Sequence, residues 1–165
     1  MKTQIRNQEK KEVRVEVGAY NKEAYVLQLK YDHREILEKH IPEIESHFLN
    51  LVHSGVLHQC IAIVVAWKWF ADFSEKLRDH FEMEDRFVFP YLLGKGTPCA
   101  NASALEFMRN HCSFEEQLQE YILVMCKTLR PLESDMAYRM LIHKLERLEV
   151  VLVEHGEAED LLMEH

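Results

Sequence analysis

What most constrains this chain is how seldom its helix-forming stretches are interrupted. Five glycines and four prolines fall in 165 residues, whereas a sandwich or barrel of short strands needs far more turns. The breakers are also clustered. Ser54-Gly55 ends a first block running from about Asn21 to His53, and Gly94-Lys95-Gly96-Thr97-Pro98 ends a second, from about Leu57 to Leu93. Arg130-Pro131 ends a third, from about Asn101 to Leu129, and a fourth runs from near Ser134, a suitable N-cap, to about Met163. Links this short force successive helices to run antiparallel. The expectation is an all-α, up-down-up-down four-helix bundle over residues 21–165, with Pro42 kinking or splitting its first helix. Residues 1–20 read as an extended N-terminal arm, because Val13, Val15 and Val17 alternate with charged residues.

A net charge of -8 argues against nucleic acid as a partner, since binding it normally requires a basic face. The longest apolar run, Cys60 to Trp67, stops at Lys68 and is too short for a bilayer, so no membrane partner is expected. Met1 to Lys11 is polar, with no secretory signal, and Cys60, Cys99, Cys112 and Cys126 contain no C-x-x-C pair. Reduced, mostly buried thiols and a cytoplasmic location follow. Trp67, Trp69 and Phe70 serve core and boundary packing, and their flat surface also suits a homodimer.

Inward positions on a bundle helix recur in steps of three and four. In the first block these are Val26, Leu29, His33, Ile36 and then His40, before Pro42 disturbs the register. In the second they are Ala66, Phe70, Phe73, Leu77, His80, Glu84, Phe87 and Tyr91. The third gives Ala104, Met108, His111, Glu115, Leu118, Ile122, Met125 and Leu129, and the fourth Leu141, Leu145, Leu148, Leu152, His155, Glu159 and Leu162. Each apolar stripe is broken by histidine or by histidine and glutamate. Burying these groups uncompensated costs several kcal/mol each; metal ions would compensate them.

Axial level supplies a separate test. At ~1.5 Å of rise per residue, His33 and His80 lie about 23 and 24 residues from the first link. His80 and His111 each lie about 15 residues from the second, and His111 and His155 about 21 and 23 from the third. All four histidines meet at one height. Glu84 and Glu159 follow their histidines at i+4, on the same face. The expected metal ligands are therefore His33, His80, Glu84, His111, His155 and Glu159, a donor set that suits iron among other transition metals. Six ligands leave positions open for water or a diatomic molecule on a metal pair. Phe73, Leu77, Phe87, Leu118 and Leu152 form an apolar collar around it. Glu115 is either a ligand or a supporting group, and His40 an inner residue near it. His53 belongs by level at the far end of the bundle, and His47, His58, His143 and His165 read as solvated.

These motifs resemble those of the hemerythrin-like, HHE cation-binding family. Asp32-His33-Arg34-Glu35-Ile36-Leu37 resembles its opening D-H-x-x-I/L pattern. His80-Phe81-Glu82-Met83-Glu84 through Phe89-Pro90-Tyr91-Leu92 resembles its H-x-x-x-E motif and phenylalanine-proline segment. Asn110-His111 and His155-Gly156-Glu157-Ala158-Glu159 fall where the third and fourth helices supply ligands. The likeness covers roughly residues 25 to 165, and in spacing it is nearest to the di-iron proteins linked to repair of iron-sulphur centres. It differs from the oxygen carriers, whose third helix bears H-x-x-x-H, because Glu115 stands four residues after His111. The resemblance implies two iron ions, non-haem and oxo- or hydroxo-bridged, and a protein that binds or senses oxygen, nitric oxide or peroxide under stress. An iron donor for cluster repair and a regulatory bundle with a structural metal are the alternatives.

Overall fold

A computed structural model describes residues 21–53, 61–132 and 135–163. Every regular element among them is helical. The order is α1 (Lys22–Glu35), a π turn (Ile36–His40), α2 (Ile41–His53), α3 (Ile61–Met83), a second π turn (Glu84–Val88) and α4 (Phe89–Leu92). Then come α5 (Pro98–Leu129), a 3-10 turn (Arg130–Leu132) and α6 (Met136–Met163). The expected arm, with Val13, Val15 and Val17, lies outside the described residues, as do Ser134, His58, His165, Cys60 and the side chain of Cys112. Of the other thiols, Cys126 is buried as expected but Cys99 is exposed.

Helix ends follow local chemistry. Asn21 caps α1 by accepting the Glu23 amide at 3.1 Å, and Asp135 accepts the Ala137 amide at 2.8 Å just ahead of α6. Helix α5 begins three residues earlier than the sequence suggests. Thr97 accepts the Ala100 amide there, and Pro98 occupies the first turn, where its missing N–H costs nothing. After α4 the chain turns through Gly94, whose φ of 67° is left-handed and natural to glycine.

Pro42 neither splits nor ends its helix. The Ile41 amide bonds to the Ile36 carbonyl, and the Phe89 amide to the Glu84 carbonyl, so both are i to i+5 turns. In each case a proline, Pro42 or Pro90, follows two residues after the turn. Proline lacks the N–H and its ring crowds the carbonyl four residues back, and a wider turn relieves both problems. The price is one extra residue. The buried series Val26, Leu29, His33, Ile36, Ile41, Ile44, Phe48, Leu51 takes a step of five across the first π turn. His40, expected inward and near Glu115, is thereby turned aside; its charged neighbours are Lys39, Arg147, Glu43 and Glu35. The same slip after Glu84 buries Val88 and Phe89, leaving Phe87 and Tyr91, expected inward, only partly covered.

The helical runs pack side by side around a shared core. Lys95 after α4 pairs with Glu23 at the start of α1, while Phe48 in α2 meets Trp67 and Phe70 in α3. Lys76 in α3 donates to Tyr121 in α5, Arg130 pairs with Glu146 in α6, and Lys144 pairs with Glu43 in α2. A larger apolar cluster includes Phe48, Phe70, Phe73, Leu118, Leu141 and Leu145; a smaller one includes Val26, Leu29, Val88, Phe89, Ala104 and Leu162. A polar layer lies between them. No helix among the described residues is long and apolar enough to cross a membrane.

Candidate metal centre

Each helical run contributes to the polar layer. His33 comes from α1, His80 from α3, Glu84 from the head of the second π turn, His111 from α5, and His155 and Glu159 from α6. All six are buried, with relative exposure between 0% for Glu84 and 6% for His80. They gather into two groups, His33, Glu84, His155, Glu159 and His80, Glu84, His111, Glu159, each with its donor atoms within 4.8 Å of one another.

Both glutamates belong to both groups, and they divide their oxygens. Oε2 of Glu84 lies 3.3 Å from His33 Nε2, while its Oε1 lies 2.8 Å from His80 Nε2 and 2.9 Å from His111 Nε2. Oε1 of Glu159 lies 3.0 Å from His155 Nε2 and 3.6 Å from His33 Nε2, and its Oε2 lies 3.2 Å from His111 Nε2. The i+4 spacing of each H-x-x-x-E pair puts imidazole and carboxylate on one face, which is why opposing helices can share both carboxylates.

This donor set fits a pair of cations. His33 Nε2 and His155 Nε2 face each other at 3.0 Å, and Glu84 Oε2 and Glu159 Oε1, aimed at the same space, have no hydrogen-bond partner. Buried carboxylate oxygens without partners are costly, and a cation at each group would satisfy them. Without metal, protons must take that part. Burial opposes protonation of His33 and His111, but the surrounding carboxylates outweigh it. Asp85, Glu159 and Glu84 push His33 up to about 10, and Glu159 and Glu84 push His111 up to about 11. Glu84 and Glu159 are themselves held below the usual carboxylate range: burial opposes this, and the facing histidines overcome it.

Supporting groups stand behind the imidazoles. Asp85 Oδ1 lies 3.2 Å from His33 Nδ1, Glu115 Oε2 3.6 Å from His111 Nδ1, and Asp32 Oδ2 3.9 Å from His155 Nδ1. Only Asp85 is within hydrogen-bond distance, and a carboxylate there fixes ring orientation and strengthens the inner nitrogen, Nε2, as a metal donor; His111 Nδ1 and His155 Nδ1 have no hydrogen-bond partner. His80 is held by rings, stacked on Phe114 at 4.3 Å between centroids and tilted to Phe107 at 4.8 Å. Glu115 stands outside the two groups that share Glu84 and Glu159, gathers instead with His111 and Asp160, and burial pushes its carboxyl up to about 7. His53 is exposed and bonds to the Leu49 carbonyl through Nδ1.

Inward periodicity alone misses Asp32 and Asp85 because both face sideways from the stripe. The available signal was adjacency, since each stands next to a ligand, where a neighbouring helix comes within reach. Gly156 was also legible as an oddity, a glycine deep inside a helix.

Three cavities adjoin the centre. A cleft of about 510 Å³ runs past His80 and His111, and one of about 400 Å³ past His33 and Asp85. The third holds about 20 Å³ and touches His80, His155 and Glu159. That is room for one water or a two-atom ligand. The chain matches no family model, no curated protein and no solved structure.

Proposed function

We propose that the chain is a hemerythrin-like, up-down-up-down four-helix bundle that holds two iron ions and binds or senses oxygen, nitric oxide or peroxide. The observation that carries this reading is the division of Glu84 and Glu159 between the imidazole pairs His33/His155 and His80/His111. One carboxylate shared in this way would be consistent with a single ion; two of them favour a bridged pair. Such a pair supplies open coordination positions and one-electron redox change, which a small molecule can use.

The chain's own residues do the rest. Glu84 and Glu159 set the spacing of the two sites, Asp85 orients His33, and Asp32 and Glu115 place negative charge near His155 and His111. Leu77, Phe81, Leu118 and Leu152 line the small cavity with apolar surface, and its size suits a diatomic ligand. The test is metal analysis of freshly purified or iron-reconstituted protein, with an optical spectrum. A pair of iron ions per chain and a charge-transfer band altered by azide or nitric oxide are expected. An iron-replete sample whose spectrum ignores both ligands would remove the sensing role.

A further inference from the structure

The small cavity is not wholly apolar. Besides the centre's own side chains and its leucines, its walls include Glu115 and Gln119. Placing a carboxyl there is unfavourable twice over. It adds an acidic group beside Glu84 and Glu159, where leucine would pack without penalty. In this pose it also uses the space left by Gly156, because a Cβ at that position would overlap Glu115 Oε1 and come within 2.9 Å of its Cδ, and the carboxyl would have to swing aside. Glycine inside a helix is itself destabilising relative to alanine. Two concessions on two helices bring one carboxyl to the cavity wall, with Oε2 toward His111 and Oε1 over the Gly156 backbone.

We propose that Glu115, seated on Gly156, sets the ligand preference of this cavity, favouring a two-heavy-atom ligand with O–H groups, such as hydrogen peroxide, over an apolar diatomic such as nitric oxide. This rests on the metal-centre reading above. A peroxide O–H can donate to the carboxyl, while nitric oxide has no hydrogen to donate and gains nothing from it. A site built around a hydrogen bond discriminates strongly against a ligand that cannot make one.

The experiment uses the iron-loaded chain with two probes. Nitric oxide affinity is measured by optical titration and the rate with hydrogen peroxide by stopped flow. Glu115→Leu should lower the peroxide-to-nitric-oxide ratio by at least about tenfold, and Glu115→Gln, which keeps a hydrogen-bonding group of the same size, should hold it within about threefold. Gly156→Ala, which displaces the carboxyl without removing it, should lower the ratio too and add nothing on top of Glu115→Leu. In the metal-free protein, the shift in melting temperature caused by Gly156→Ala should shrink when Glu115 is already leucine. If leucine and glutamine behave alike, or the ratio stays put in both Glu115→Leu and Gly156→Ala, the proposal falls alone. If Glu115→Leu fails to load iron, Gly156→Ala decides by the same ratio. A wild-type chain that takes up no iron overturns the metal-centre reading and this inference with it.

Discussion

The two halves of the centre have the same donors and different backing. Each offers two Nε2 atoms and one oxygen from each shared glutamate. Behind the His33/His155 half, Asp85 bonds to His33, which also stacks on Phe81, and Asp32 lies 3.9 Å from His155 Nδ1; the two aspartate side chains are 42% and 32% exposed. Behind the other half, His80 lies against Phe114 and Phe107, and only His111 faces a carboxylate. An aspartate strengthens its imidazole as a donor, whereas a stacked ring only holds it in place. The difference teaches that equal ligand lists do not make equal sites. The first half should bind a cation more tightly, and the second should release it first.

The largest effect tests whether the halves are joined at all. Glu84→Ala removes one oxygen from each, so both metals should be lost, with affinity falling by more than about 100-fold at each. His33→Ala should instead empty its own half first and His80→Ala the other, as read by metal stoichiometry per chain. If either histidine variant loses both metals together, as Glu84→Ala does, the halves are one site and the comparison breaks.

Next come the aspartates. Asp85→Asn should weaken the first half by about 10-fold or more. Asp32→Asn should do less, because its oxygen is 3.9 Å from the ring nitrogen against 3.2 Å for Asp85. Competition with a chelator, read separately for the tight and weak metal, ranks them. Equal losses in both halves from Asp85→Asn would count against aspartate backing as the source of the asymmetry.

Metal removal brings in pH with a definite sign. In the metal-free chain His33 and His111 are raised from 6.5 to about 10 and about 11, so their stabilisation is complete below 6.5 and lost as pH climbs toward those values. Glu84 and Glu159 are lowered from 4.5, so theirs is present above 4.5 and lost as pH falls through the depressed values. Metal-free protein should therefore be most stable between 4.5 and 6.5. Loading metal displaces the imidazole protons, one group in each half, so metal affinity should rise with pH. Melting curves of the metal-free chain and proton release on loading check the two statements. A melting temperature that rises steadily above neutral pH without metal would contradict the first.

Much of the fold and of the centre is legible in the sequence. The rarity of breakers announced helices, and His33, His80, Glu84, His111, His155 and Glu159 stood out because polar groups interrupt apolar stripes at one height. Third- and fourth-block registers matched the buried faces throughout Ala104 to Leu129 and Leu141 to Leu162, with Met108, Glu115 and Leu152 partly covered. The errors begin at the two π turns, each of which precedes a proline. A period of three and four assumes one hydrogen-bond pattern, and the π turns add a residue that no periodic count contains. The first slip accounts for His40 and the second for Phe87 and Tyr91. Backing residues such as Asp85 escaped because they are defined by a neighbouring helix and not by their own.

The smallest expected effect separates the two π turns, one beside each part of the comparison. The Ile36–His40 turn begins three residues after His33, whereas the Glu84–Val88 turn contains a carboxylate shared by both groups. Replacing either proline with alanine restores an N–H that could close an ordinary α turn. Closing it would rotate everything downstream by about 100°, pulling Ile41 and Ile44, or Val88 and Phe89, off the core. Their burial opposes that, so both turns should persist and stability should change by less than about 1 kcal/mol. The metal centre should still tell them apart. Pro90→Ala loosens the turn that aims Glu84 and should weaken both halves by a few-fold, while Pro42→Ala should leave metal affinity where it was. Melting temperature, with chelator competition on the same two variants, reads both numbers. If Pro42→Ala weakens metal binding as much as Pro90→Ala, the turns act on the whole bundle and not through the carboxylate one of them carries.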